Sequence, residues 1–352
     1  MHSPYEATGG AGGGWLLAPE TRRGLIARTR VRPAVYWADL LVTAGIGWAA
    51  FLAGGFFPWV SIGYAACTLL SALAFLRAAY FIHELAHRSE QELPGFSFGW
   101  HLLVGVPIGI PSLMLWPHRE HHRPATYGTI EDAEYAPVPD WGRWRLLGAI
   151  GIYGIVPWLL AVRWGFTAPV SRLHPKLRAH AIGKISTADI WHAYTRPPVP
   201  EEDRARFERQ ELLCMLFVWA ALAATVLGWI PWWIHIHRAV VMTLSLVINH
   251  ARLLVIHGYA TEGSPVSGRD QTLDSRTLGP TSWATEILVP LGSRFHALHH
   301  ELPTVAYHEL PRLHRELVAE LPAEHAYLKT VRPGFWAAWA ELWARTPWRS
   351  PA

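Results

Sequence analysis

With 352 residues, 51% of them hydrophobic, 20 Trp and a formal net charge of +4, the chain has the length of two soluble domains but the composition of one membrane-embedded unit. Its cations crowd into residues 22–32 and 163–209, which marks the cytoplasmic side of a membrane protein and excludes a nucleic-acid surface. Cys67 and Cys214, the only cysteines, lie inside apolar runs, so neither a disulfide framework nor a thiolate metal site is available.

Residues 1–14 are Gly-rich and lack the regions of a signal peptide, so they read as a disordered stretch within a cytoplasmic tail, 1–32. Apolar runs at 34–57 and 59–82, joined at Pro58, are each long enough to cross a bilayer and form a hairpin with an uncharged far turn. Its returning end delivers His83 and His87, with Glu84 between them, to the basic side. The run 96–116 is broken by Gly99, Gly105, Pro107, Gly109 and Pro111 and separates this pair from His118, His121 and His122. If both clusters meet at one site, the broken run is re-entrant or interfacial, which is allowed where protein buries the backbone.

Arg123-Pro124 ends the second cluster, and the acidic stretch that follows offers Asp132 and Glu134 as carboxylates for the far nitrogens of metal-bound imidazoles. The run 145–162 contains Pro157 and, by parity, does not cross. A second hairpin, 212–230 and 232–255, turns at Pro231. Near its end Asn249, His250 and His257 bring polar groups close to the site, with His250 and His257 on one helical face. His257 is a candidate ninth ligand, or else a helix-end histidine in the headgroup layer, and Asn249 is a candidate partner for a ligand. His296, His299 and His300 form the third cluster.

At helical spacing each cluster is expected to point its imidazoles one way. Trp158, Trp164, Trp229, Trp232 and Trp233 read as interfacial anchors. His101, His192, His235, His237, His308 and His314 have no cluster partners and read as surface or interfacial. The expected fold is an all-α integral membrane protein of four transmembrane helices, with re-entrant or interfacial helices and a cytosolic cap of histidine clusters. The membrane domain spans 33–317, a C-terminal segment spans 318–352, and both termini are cytoplasmic.

Eight clustered imidazoles suggest two metal ions, since a reactive metal takes three or four protein ligands and keeps a position open. His83-Glu84-Leu85-Ala86-His87 also satisfies the zinc-protease pattern with Glu84 as base, but that leaves at least five imidazoles idle. A haem protein needs isolated axial histidines rather than tight triplets.

In its three clusters, their order between two hairpins, and the run Arg294-Phe295-His296-Ala297-Leu298-His299-His300-Glu301, the chain resembles the membrane fatty acid desaturase and hydroxylase superfamily. That resemblance implies two non-haem irons held by the eight box histidines, with His257 completing the set, O2 as co-substrate, and hydrogen abstraction from a lipid or fatty acyl chain. It favours acyl desaturation, with hydroxylation or terminal-alkene-forming decarboxylation as alternatives. It further implies a bacterial inner membrane with a cytoplasmic site and an external ferredoxin, rubredoxin or cytochrome as electron donor. Arg172, Lys176 and Arg178 are the expected docking patch for that donor.

Overall fold

The computed structural model describes residues 14–188, 193–279 and 282–348 and is built on one packed helical hairpin, followed later by two long helices that pack on other elements rather than along each other. A short helix, α1 (Pro19–Ala27), precedes the first pair, α2 (Pro33–Gly54) and α3 (Ile62–His87). Pro33 opens α2 with the fixed φ that suits a first turn. Ser61 caps α3 by accepting from the Tyr64 N–H at 3.1 Å. The two helices touch closely at Gly47, where a Cβ would meet the Phe75 ring at 3.2 Å, and Ser71 Oγ donates to the Gly47 carbonyl at 2.9 Å. Arg77 Nε donates to Asp39 Oδ1 across the same interface at 2.8 Å.

Next come α4 (Phe96–Ile108) and α5 (Ser112–His121), which meet at 88°. Gly109 makes this break with φ +76°, a conformation that side chains disfavour. The freed backbone is satisfied by protein: Trp164 Nε1 donates to the Gly109 carbonyl at 2.7 Å, Arg238 to the Pro107 carbonyl at 3.1 Å, and Gln210 Oε1 accepts from the Leu113 N–H at 2.8 Å. His87 at the end of α3 and His118 in α5 lie 3.0 Å apart, so the segment leaves from and returns to one level.

After the bent pair α6 (Arg143–Gly154) and α7 (Val156–Ser171), which meet at 51°, α8 (Pro175–Ile185) leads to α9 (Glu201–Val226) and α10 (Trp233–Leu253). Among the described residues α2, α3 and α9 are long and apolar enough to cross a membrane, and up to five spans result if each bent pair counts as one. α10 has 21 residues but carries His235, His237 and Arg238, which is why apolarity alone does not mark it.

The chain finishes with α11 (Gly268–Asp274), β1 (Thr277–Leu278), α12 (Trp283–Leu288), α13 (His296–Glu301), α14 (Leu310–Glu320), β2 (Val331–Arg332) and α15 (Phe335–Arg345). The boundary expected at 317 falls inside α14, because Leu310, Leu313 and Leu317 form one buried stripe against Leu16, Leu17 and Leu25. β2 pairs with β1 in parallel, Thr277 opposite Val331. Phe335, Ala338 and Leu342 of α15 enter the core that holds Tyr127 and residues 254–256.

At the other terminus, residues 15–32 are also part of the fold, since Leu16 and Leu17 N–H groups donate to the buried Glu301 carboxylate at 3.2 and 3.1 Å. Residues 1–13 of the expected tail, and His192, lie outside the described residues.

Several expectations are corrected by burial. Trp164 is 1% exposed and is a core residue rather than an interfacial anchor. His101 and His237 are buried, not surface groups; His237 Nδ1 lies 2.9 Å from the Tyr64 hydroxyl. Two of the three cations expected to dock a donor, Arg172 and Arg178, together with Arg163, converge on the buried carboxylate of Glu211 at 2.9, 2.6 and 2.8 Å.

Removing the charge of Glu211 leaves Arg163, itself buried, without its counter-ion. Breaking a buried pair in this way typically costs about 3–5 kcal/mol. Glu211→Gln is therefore expected to lower the thermal unfolding midpoint in detergent by several degrees, and an unchanged midpoint would show that this cluster is solvated.

Candidate metal centre

The nine histidines His83, His87, His118, His121, His122, His257, His296, His299 and His300 converge, and they sort into two groups. One is His83, His87, His118, His122 and His299; the other is His121, His257, His296 and His300. Within each group one ligand atom per residue lies within 4.8 Å of every other. The clusters do not each point one way. Residues four apart on a helix are separated by about 40° and residues one apart by about 100°, so His118 and His122 face the first group while His121 turns to the second. By the same geometry His296 and His300 share the second group and His299 swings to the first. The groups abut, with the His122 and His300 rings stacked at 4.4 Å.

His257 does not lie on the hairpin helix with His250. α10 ends at Leu253, and His257 sits in an isolated β-bridge to Ser275. The next residue must be small, because a Cβ at Gly258 would meet Asp274 Oδ1 at 2.7 Å. His250, by contrast, joins neither group.

Hydrogen bonds fix the orientation of several rings. His118 Nδ1 lies 2.6 Å from Glu134 Oε1 and His121 Nδ1 lies 2.8 Å from Asp132 Oδ2. Asp132 is held in turn by the N–H groups of Gly128 and Glu134 at 3.0 and 2.9 Å. His257 Nδ1 is 2.9 Å from the Tyr127 hydroxyl, which donates to Asp274 Oδ2 at 2.8 Å. Tyr135 donates to the same carboxylate oxygen at 2.8 Å. The Gln271 amide nitrogen lies 2.9 Å from His300 Nδ1. Asn249 accepts from Arg252 at 2.9 Å and touches no ligand.

Electrostatics follow the same pattern. Burial pushes the Glu134 carboxyl up, but the His118 ring against it outweighs that and holds the group below the usual carboxylate range. Burial and the neighbouring Asp274 carboxylate push the Tyr127 phenol well above its ordinary value, so it keeps its proton and acts as a donor. Asp274 itself is raised by burial against the donors that surround it.

The carboxylate and tyrosine contacts place protons on Nδ1 of His118, His121 and His257 and leave their Nε2 lone pairs pointing inward, whereas the Gln271 amide donates to His300 Nδ1. In the first group His87 to His118 and His118 to His122 are 3.0 Å apart between Nε2 atoms, and His122 to His299 is 3.1 Å. In the second, His257 to His296 and His296 to His300 are both 3.0 Å. Buried lone pairs facing each other at this distance repel unless a cation lies between them. His83 and His121 also carry buried Nε2 atoms with no hydrogen-bond partner.

The residues therefore fit a metal ion in each group. With a metal–nitrogen bond of about 2.1 Å, ligands at right angles lie about 3.0 Å apart and tetrahedral ones about 3.4 Å. The observed spacing leaves room for an ion among the Nε2 atoms, and all-imidazole sets would suit iron, copper, nickel or zinc. Glu84 is not placed as a protease base: its carboxylate is buried, accepts from the Tyr36 hydroxyl and lies 3.6 Å from Arg88.

Beside both groups lies a cavity of about 740 Å³ whose wall includes His83 from the first and His296 from the second, together with Glu134. Most of the remaining wall is apolar. Sequence reasoning passed over Tyr127, Gln271 and Asp274, because isolated polar residues carry no spacing signal.

Comparison with known proteins agrees with this geometry. The family model described as fatty acid desaturase matches residues 59–332. A curated protein described as a ceramide hydroxylase, from Caulobacter vibrioides (strain NA1000 / CB15N), is 35% identical over 317 residues, covering 89% of each chain. No solved structure matches.

The two groups predict separable metal loss. Elemental analysis of detergent-purified protein is expected to find two ions per chain, one for each group, falling toward one in His257→Ala. Asp132→Asn is expected to weaken metal affinity about 10–100-fold. Full loading of His257→Ala would remove that residue from the set.

Proposed function

We propose, from the premise that the chain belongs to the fatty acid desaturase family, that it is an O2-dependent, di-iron lipid hydroxylase of a membrane, acting on the hydrocarbon chain of a ceramide-like lipid. The observation that carries this reading is the contact between the two imidazole groups and a large, mainly apolar cavity, with one histidine of each group in its wall. Such a cavity accepts a lipid chain and keeps water from it. The name of the 35% identical relative, a ceramide hydroxylase aligned over 89% of both chains, favours an alcohol product over the alkene expected from the sequence.

Two irons, held by His83, His87, His118, His122 and His299 and by His121, His257, His296 and His300, supply reductive activation of O2 when bound. The remaining work belongs to the protein. Glu134, Asp132 and the Tyr127–Asp274 pair hold the Nδ1 protons of His118, His121 and His257. The apolar wall positions the chain and excludes competing water.

In the overall reaction one C–H bond and one O2, with two electrons and two protons, give one C–OH and one water. The electrons come from a separate donor protein of the ferredoxin, rubredoxin or cytochrome class. We place the site on the cytoplasmic face of a bacterial inner membrane, on the side where the cations gather.

A lipid survey tests this. Expression in a host that makes ceramides, under isotopically labelled O2, is expected to yield a lipid carrying one labelled hydroxyl, absent from the His121→Ala strain. Loss of two hydrogens without label would instead establish desaturation, the reaction named in the family description.

A further inference from the structure

The cavity wall contains a polar cluster that neither holds metal nor orients a ligand. Arg252 is 1% exposed and His250 2% exposed, and both line the cavity. Neither ring nitrogen of His250 has a hydrogen-bond partner, and nor has Arg252 Nε. Arg252 donates to Asn249 Oδ1 at 2.9 Å and more weakly to the Tyr80 hydroxyl at 3.4 Å. Among the described ion pairs none includes Arg252. The Glu134 carboxylate, which shares this cavity wall, feels the Arg252 charge, but its hydrogen bond goes to His118.

A buried guanidinium whose Nε has no acceptor is costly unless something else accepts from it. The same holds for a buried imidazole with two idle nitrogens. Both face the space where a substrate lies.

Their position relative to the metal groups is also fixed. The Arg252 guanidinium stacks on the Tyr80 ring at 4.4 Å, and the Tyr80 ring stacks on His83 at 5.1 Å. Arg252 is thus within two stacking layers of a metal-binding imidazole. The apolar wall runs the other way. Phe75 lies eight residues before His83 on α3, and Val241 eleven residues before Arg252 on α10, and both line the cavity. At 1.5 Å per residue these are about 12 and 16 Å of helix leading away from the histidines. The cavity is therefore polar beside the metal groups and mainly apolar along these two helices, and Arg238 further out is already engaged by the Pro107 carbonyl and Met242 Sδ.

We infer that Arg252, Asn249 and His250 form the subsite for the carbonyl oxygen at the polar end of the lipid, so that oxidation falls on a carbon close to that end. This rests on the hydroxylase reading and adds to it a position of attack and the residues that set it. Arg252 and His250 donate to the acyl oxygen. The tail extends along Phe75, Leu76, Val241 and Met242, beyond reach of the metal groups. An amide-linked acyl chain and a free fatty acid both present the required oxygen.

The test uses the full-length, metal-loaded protein in detergent with a reductase system. Three substrates of equal chain length are compared: an N-acyl amide lipid, a free fatty acid and a hydrocarbon. The expected result is a hydroxyl within the first few carbons of the polar end, on the amide, the acid or both, and little turnover of the hydrocarbon.

Arg252→Gln is expected to raise KM at least tenfold and to scatter the hydroxyl position while metal content stays unchanged, with Arg252→Lys restoring part of both. His250→Phe, which keeps the volume and removes the nitrogens, is expected to scatter the position as well.

A wild-type product hydroxylated in mid-chain or at the tail end overturns the subsite alone, without need of any variant. So does equal turnover of the hydrocarbon, or an Arg252→Gln protein with unchanged KM and position. Absence of any oxygenated product overturns the hydroxylase reading beneath it.

Discussion

The structure depends on the convergence of buried imidazole lone pairs. Nine buried rings aimed at two points repel one another, and the fold holds them there by securing the opposite nitrogen of several rings. Carboxylates at Asp132 and Glu134 and the hydroxyl of Tyr127 fix the Nδ1 proton of His121, His118 and His257, which commits each Nε2 to the centre. Asp274 anchors the outermost layer by accepting from Tyr127, Tyr135 and the Ala260 N–H.

Bringing those rings together places demands on the backbone. The α4–α5 segment must fold back, and a broken helix at membrane depth survives only if its freed groups find partners. Trp164, Arg238 and Gln210 are those partners, each from a different helix. Polar residues that look misplaced in an apolar sequence are therefore explained by the break opposite them. Arg238 and the histidines of α10 also account for its lower apolarity.

Much of this was legible from spacing. The eight clustered histidines, the first hairpin and the glycine- and proline-broken run are periodic or local features, and the fold brings those eight rings together; the two helices of the expected second hairpin diverge and pack on other elements. The assignment of rings to groups is not legible from cluster spacing alone, because positions three and four residues along a helix diverge from each other by about 100° around the axis. The end of α10 was also misread: Leu254, Val255 and Ile256 continue the apolar run but leave the helix to enter the core, carrying His257 off the face it would have shared with His250. Glu301 ends the run that carries the resemblance, yet nothing local names its partners. Its role is to accept from Leu16 and Leu17, nearly the whole chain away, and no local pattern reports such a contact.

Metal and fold are coupled by this arrangement. An ion in the first group would join α3, the end of α5 and α13, and one in the second would join α5, the His257 loop and α13. Each therefore closes loops of a hundred residues or more, the kind of constraint that most reduces the freedom of an unfolded chain. An ion also replaces lone-pair repulsion by coordination, so its binding free energy adds directly to folding. The terminal segments complete the enclosure, α1 and its leader over Glu301 and α15 over the core behind Tyr127. Neither segment supplies a ligand. Both cover the imidazole groups away from the cavity lined by His83 and His296, and so the solvent boundary of the site is set by parts of the chain that carry none of its candidate ligands.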